Sequence, residues 1–513
     1  MKRLRPLLSE EFTKCARAFW LDVASSIFLF LCASFMTGRV WRFPFDDELD
    51  GLSPIECCHS AMELFTYHLK GGDNHPPLSY LLFYALQDLG LSEAGLRLCS
   101  IAMTALALVL FHLIALILVA RRGADVISLT TRFLAVLLFG LCPLAIGQGD
   151  AIRWYPLFAM LISLFVTLYL FGGNNAARLL SAAPLGLAAS TNFLAVIVFA
   201  PFVLYRYGLQ RQFRASFDVP FGLVVLLFAG FGIASAYSIL ATRFGWTMQT
   251  QFSHGAVGAL MSDVLGFFGG QGLGISQAWI IVPAVAISAV AAFSAIDRME
   301  QANPVHLLLL MLVATAVIIL PGFSKPRSFL YLAPVTAVLL TLYLDRQVGQ
   351  GQTGRVVLMA ALILAPSVGA IANIGFGAHP FKRNSVIPYQ SIIDFIEINK
   401  TGSVLVISTD LVVPWLLRQQ PDRYDRCVSY FLSGGGCLAS GRRYDSIFVI
   451  AGHSDKSADA AFMGTFDTAL QRLIAGRRKV ATIHAGVDED ANMKSRLTGI
   501  PLDKHILTVD LYQ

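Results

Sequence analysis

LCSIAMTALALVLFHLIALILVA, residues 98–120, runs for 23 residues without a carboxylate, a lysine or an arginine and stops against Arg121-Arg122. At 1.5 Å per residue it makes a helix of about 34 Å, enough to cross the roughly 30 Å hydrocarbon layer of a bilayer. Similar apolar stretches recur along the chain, at about 19–37, 133–147, 156–171, 179–190, 193–207, 220–239, 276–295, 306–321, 328–344 and 356–374. With 98–120 they predict a polytopic α-helical membrane protein of about eleven transmembrane helices.

Composition agrees. The 513 residues are 56% hydrophobic and only 14% charged, with a mean hydropathy of +0.63, too little polar surface to cover a water-soluble globule. The net charge of +6 is spread among the apolar spans instead of forming one basic face, which argues against a nucleic-acid partner. Met1 to Arg5 is basic, yet Glu10 and Glu11 follow and no small-residue cleavage site closes the first span, so it reads as an uncleaved helix. The eight cysteines lack metal-like spacing, and adjacent Cys57-Cys58 is badly placed for a mutual disulfide. Cys427 and Cys437 can pair if their segment is extracytoplasmic.

The two stretches flanking Thr191-Asn192 are short enough to be read as one span, which would invert everything after them. Charge favours two. With eleven spans the N-terminus shares one side with Arg121, Arg122, Arg132, Arg178, Arg206, Arg211, Arg214, Arg298, Arg346 and Arg355, and the positive-inside rule makes that side cytoplasmic. The other side receives the loop 38–97, the turn from Gln148 to Tyr155, the loop 240–275, the Lys325 to Arg327 turn and the C-terminus. The reading is a multi-pass protein of the plasma membrane, with a transmembrane domain over 1–378 and an extracytoplasmic α/β domain over 379–513.

Within the first outer loop, Ile55 to Leu69 and Leu78 to Leu89 have near-helical apolar spacing and predict two amphipathic helices along the membrane surface, the second after Pro76-Pro77. In the C-terminal region, Val404 to Ser408, Ile447 to Ile450 and Lys479 to Ile483 read as strands and Ala460 to Ala475 as a helix. Gly434-Gly435-Gly436 lacks the spacing of a nucleotide-binding turn.

Chemistry-bearing residues collect on the outer side. Asp46-Asp47-Glu48 cannot face lipid cheaply, so it sits in a wet loop or a protein-lined cavity, either as an inert acidic loop or as a general base with a neighbouring carboxylate. His75 reads either as a helix-start residue or as a phosphate or metal contact. Asp150 and Arg153 either pair with each other or face a cavity. Lys325 and Arg327 either snorkel to the interface or stabilise a phosphate. His254 and Asp263 lack supporting spacing and read as structural or solvated.

An acidic pair after the first helix is followed by Asp73-x-His75-Pro76-Pro77-Leu78-x-Tyr80, by Ser92-Glu-Ala-Gly-Leu-Arg97 and by Asp150-Ala-x-Arg153-x-Tyr155. That order resembles membrane glycosyltransferases of the GT-C fold, in the bacterial branch of the dolichyl-phosphate-mannose protein mannosyltransferases that includes the lipid A aminoarabinose transferases. The resemblance covers about residues 15–345. Thr191-Asn192-Phe193 stands where the family has Thr-His-Tyr, and Lys325-Pro-Arg327-Ser328-Phe where it has Arg-Tyr. These departures weaken ligand-contacting roles for Asn192 and Ser328.

The resemblance implies an inverting glycosyltransferase, a hexosyl- or pentosyltransferase. It would move a sugar from a polyprenyl-phosphate donor to a lipid, glycan or protein acceptor of the cell envelope, at a periplasmic active site. It implies Asp47 as base, Glu48 as its partner and Asp46 as the alternative base. Lys325, Arg327 and Arg153 would hold the donor phosphate, and Asp73, His75, Asp150 and Tyr155 would shape the pocket. A divalent metal cation is the one cofactor left open, with Asp47, Asp150 and His75 as candidate ligands. The rival reading is a transporter or flippase of lipid-linked sugars, whose ionisable residues would line a mid-membrane path.

Overall fold

The computed structural model describes residues 8–36, 48, 52, 55, 60–69, 75–121, 127–252, 304–319, 330–352, 354–357, 360, 389–408, 412–417, 425–428, 443–452, 470–485 and 507–513. The chain divides into two compact units, one of residues 1–41, 51–271 and 275–372, the other of 42–50, 272–274 and 373–513.

The first unit is helical. Among the described residues four helices are long and apolar enough to cross a membrane: Glu93–Ala120, Leu129–Gln148, Trp154–Phe171 and Ala215–Ser235. A fifth candidate is Glu10–Ala18 continued by Trp20–Met36, bent by 66° between them. Other apolar stretches form shorter helices, among them Ala182–Thr191, Val196–Val203 and Pro304–Ile319. At 10 residues, Ala182–Thr191 is about 15 Å long and does not cross a bilayer by itself. Its break at Asn192 separates the two stretches read as separate spans, with Asn192 extended (φ −158°, ψ 142°) between them. The expected span 276–295 and most of 356–374 lie outside the described residues.

Helix Glu93–Ala120 is buried along most of its length and packs against Trp154–Phe171, Leu332–Gly349 and Trp20–Met36. His112 in its middle is fully buried, with its Nδ1 3.0 Å from the Ser26 hydroxyl and its ring stacked 4.7 Å from Phe139. Such a polar tie is useful where lipid gives helices no hydrophobic reason to associate. Outward, Val219, Leu223, Leu226, Leu227, Phe231 and Ile233 of the 215–252 helix are exposed, a continuous apolar surface that suits lipid and not water. This is a multi-pass membrane protein.

The helices have two chemically distinct ends. At one, Glu11 receives a bidentate Arg121 fork at 2.6 Å, Arg132 pairs with Asp22 at 2.8 Å, and Ser9 donates its N–H to the Phe171 carbonyl at 2.8 Å. Arg206, paired with Asp218, also donates to the Tyr169 hydroxyl at 3.0 Å. These are arginines that the charge pattern places on one side. The opposite ends of the same helices carry Glu93, Trp154 and Thr191. Along Trp154–Phe171, 18 residues separate the two ends by about 27 Å.

Within the loop 38–97, the two stretches with helical spacing contain the helices Ala61–Leu69 and Leu78–Asp88. Pro77 precedes the second, where its missing N–H interrupts no helical bond.

Helix Ala182–Thr191 approaches Ala215–Phe252 closely enough that side chains are excluded. A Cβ on Gly186 would lie 2.6 Å from the Val225 carbonyl oxygen and 2.8 Å from Phe228 Cβ, and one on Gly232 would strike the Ala189 carbonyl. Small residues permit this approach, and the Ser190 hydroxyl uses it to donate to the Phe228 carbonyl at 2.5 Å.

The second unit contains a five-stranded sheet in the order β2-β1-β3-β5-β4, from Val404–Ser408 (β1), Asp425–Val428 (β2), Ser446–Gly452 (β3), Lys479–Ala485 (β4) and Leu507–Tyr512 (β5). β1 pairs in parallel with β2 and β3, while β5 runs antiparallel to β3 and β4. The three strands read from the sequence are present, and β2 and β5 are additional. Of the helix expected over 460–475 only the part from residue 470 is described, and the Cys427 and Cys437 side chains are outside the described residues.

At the entry to β1, Gly402 has φ +56°, and a Cβ there would strike the Asp445 carboxylate. That carboxylate accepts from the Ser403 N–H at 2.7 Å and hydroxyl at 3.0 Å, which holds its pKa below the ordinary carboxylate value. A depressed carboxylate contributes stability above its unfolded pKa of about 3.9 and loses it as pH falls through the lower folded value.

Two outcomes follow from this packing. Gly186→Ala should destabilise the detergent-solubilised protein by about 1–3 kcal/mol, seen as a lower thermal midpoint, because backbone, not a pliable side chain, meets the new methyl. Acidification below about pH 4 should raise the intrinsic-rate-corrected amide exchange of Ser403, and Asp445→Asn should remove that pH dependence.

Candidate functional site

The candidate site is built where helix Trp154–Phe171 begins, helix Ala182–Thr191 ends, and the helices Ala61–Leu69 and Leu78–Asp88 lie close. Each element brings one part. The short helix Pro143–Gln148 ends at Gly149, whose carbonyl accepts from the Thr104 hydroxyl at 3.1 Å. That bond ties the Asp150 to Arg153 turn to the long central helix.

Arg153, which is buried, donates from Nη1 to the Tyr80 hydroxyl at 3.3 Å. The Tyr80 ring lies 4.3 Å from the fully buried His68 ring. His68 donates from Nδ1 to the His75 carbonyl oxygen at 3.1 Å, since a carbonyl can only accept. His75 faces the Asn192 amide nitrogen across 3.2 Å from its own Nδ1, and its ring lies 5.6 Å from that of Trp154. Trp154 continues through Phe158 to Tyr331 in an aromatic wall with centroid spacings of 5.6 and 5.7 Å. Asp150 and Tyr155 are both buried beside these groups in sequence.

At this end of the helices the buried Trp154 Nε1 and Gln148 Oε1 have no partner among the described residues. An unmatched buried donor or acceptor costs about 1–3 kcal/mol, so these are natural positions for a ligand or water to complete.

His75, Asp150, Arg153 and Tyr155 therefore belong to one end of one helical unit. Glu48 is fully buried and falls with residues 42–50 in the second unit. Asp46, Asp47, Asp73, Lys325 and Arg327 lie outside the described residues. Among the described residues no three His, Cys, Asp or Glu side chains gather around a common metal position. Sequence reasoning gave no role to His68, Tyr80 or Trp154, although Tyr80 and Trp154 lie inside the quoted motifs. It also discounted Asn192, which the structure puts directly on His75.

No family model matches the chain, and no curated protein matches it in sequence. Its fold is the GT-C fold, the class to which the ordered motifs point. The structure is similar to that of ArnT from Cupriavidus metallidurans in the apo state, with a TM-score of 0.54 at 13% identity over 96% of this chain and 98% of that one. The same protein bound to undecaprenyl phosphate gives a TM-score of 0.52 at the same identity and coverage. The likeness thus extends over almost the whole of both chains.

Tyr80→Phe deletes one acceptor of a buried guanidinium and should destabilise the protein by about 0.5–1.5 kcal/mol, measured as a lower unfolding midpoint in detergent.

Proposed function

We propose that this protein is an inverting glycosyltransferase that moves a sugar from a polyprenyl-phosphate donor to an envelope acceptor at the extracytoplasmic membrane face. The observation that carries this reading is the gathering of His75, Tyr80, Arg153, Trp154 and Asn192 at one end of the helices, about 27 Å from the arginine-paired end. A flippase needs a polar path through the middle of the membrane, whereas chemistry on a headgroup needs polarity at one surface. ArnT, which has the same fold, has been seen with undecaprenyl phosphate bound, and this supports a polyprenyl-phosphate donor here.

In the proposed reaction Asp47 removes the acceptor hydroxyl proton as its oxygen attacks the anomeric carbon. The bond from that carbon to the phosphate oxygen breaks, and polyprenyl phosphate leaves with the electron pair. Glu48 supports the base, with Asp46 as the alternative proton acceptor. Arg153, Lys325 and Arg327 balance the phosphate charge, so that no general acid is needed. His75 and the Trp154 N–H add hydrogen-bond donors, and Asp73, Asp150 and Tyr155 shape the pocket. If a divalent cation takes part, Asp47 and Asp150 are the carboxylates suited to hold it. The extracytoplasmic side is assigned from the arginine distribution, with residues 379–513 as an α/β domain on the same side.

The deciding experiment incubates purified protein with a panel of radiolabelled undecaprenyl-phosphate sugars and membrane extract. Asp47→Asn should lower transfer by about 10²-fold or more. Equal turnover by both proteins would remove Asp47 as base, and no transfer from any donor would overturn the glycosyltransferase reading in favour of transport. Adding a chelator in the same assay reads metal dependence.

A further inference from the structure

Asn192 ends the Ala182–Thr191 helix and starts a 3₁₀ turn, Phe193–Ala195. Its Oδ1 accepts the Leu194 N–H at 2.8 Å. That bond settles which way the amide points, because an NH₂ group in the same place would oppose a backbone N–H. The Asn192 NH₂ is therefore the group that meets His75 Nδ1 at 3.2 Å. An NH₂ can only donate. Nδ1 must then present its lone pair, and a neutral imidazole with a bare Nδ1 carries its proton on Nε2.

From this chain of contacts we propose that Asn192 is a positioning residue that locks His75 in the Nε2–H form. Resting on the glycosyltransferase reading, this makes His75 a neutral hydrogen-bond donor to the lipid phosphate and withholds it from acting as a base. Asn192 holds the ring at Nδ1 and the Trp154 indole lies 5.6 Å from it between centroids, while His68 fixes the backbone of the same residue through the His75 carbonyl at 3.1 Å. In this state neither ring nitrogen has a lone pair to offer a cation, so His75 drops out of the candidate metal ligands. The lock depends on packing far from the ring. Asn192 is placed by the close approach of the 182–191 and 215–252 helices at Gly186 and Gly232.

The test uses full-length protein, labelled with ¹⁵N-histidine and reconstituted in lipid, with the His75 signals identified by their absence in His75→Gln. Wild-type His75 should show a protonated Nε2 and an unprotonated Nδ1. Asn192→Asp keeps an oxygen on the Leu194 N–H but offers Nδ1 an acceptor, so a proton should appear on Nδ1. A proton on Nδ1 in wild type, or an unchanged signal in Asn192→Asp, would overturn the proposal.

A second measurement reads function through binding of undecaprenyl phosphate. Asn192→Leu should weaken binding about fivefold in the wild-type background and leave it within about twofold in His75→Gln, where a side-chain amide replaces the imidazole. Equal losses in both backgrounds would mean that Asn192 acts only through the fold, and the proposal would fail. Failure of the glycosyltransferase reading is distinguishable, as an intact wild-type tautomer with no undecaprenyl phosphate binding.

Discussion

Hydrocarbon offers no partner to a charge or an unmatched hydrogen-bonding group, and everything else in the helical unit follows from where those groups can go. Apart from a buried tie such as His112 to Ser26, the apolar bodies of the helices leave the charged groups two places, the two ends. Arginines with carboxylate or hydroxyl partners occupy one, through Arg121 and Glu11, Arg132 and Asp22, and Arg206 with Asp218. The other holds imidazole, indole, phenol and guanidinium groups in mutual contact. In the first set each of these guanidinium groups has its acceptor. The second leaves the Trp154 N–H and the Gln148 oxygen without partners among the described residues, two positions that a ligand or water can complete.

Much of this was legible before any coordinates. Long uncharged runs such as 98–120 can hardly be anything but membrane helices, and Arg121, Arg132 and Arg206, which the charge pattern puts on one side, lie at the same ends of the helices. The motifs around His75 and Arg153 signalled the site because polar residues at helix mouths are costly unless something uses them. What could not be read was the partnership across sequence distance. Nothing in local spacing tells that Asn192 meets a ring 117 positions earlier, or that Tyr80 accepts from Arg153 across 73 positions. Asn192 also looked like a degraded motif, since an amide stands where the family has an imidazole, and motif reasoning discounts a substitution that geometry shows in contact.

The second unit shows a different limit. β1 and β3 are apolar apart from Ser408 and Ser446 and read clearly as buried strands. β2, Asp425-Arg-Cys-Val428, has almost no apolar signal, because an edge strand needs only backbone pairing to β1 to exist. β5, with alternating burial, was hidden by its place at the chain's end; it is wedged between β3 and β4 and runs against both. The sheet therefore changes from parallel to antiparallel at β3, which simple alternation of strands and helices does not foretell.

The bend at Phe19 has a consequence for how the chain is assembled. The helix Glu10–Ala18 turns 66° away from the first apolar helix and lies against Phe171, with Glu11 held by Arg121 and Leu8 bridged to Gly172. Its partners emerge from the ribosome more than a hundred residues after it does. During synthesis this opening segment must therefore wait, undocked, until the 93–120 and 154–171 helices are in place. Its docking would then act as a clasp that closes over a bundle already formed, making the chain's first helix one of the last of its neighbours to settle.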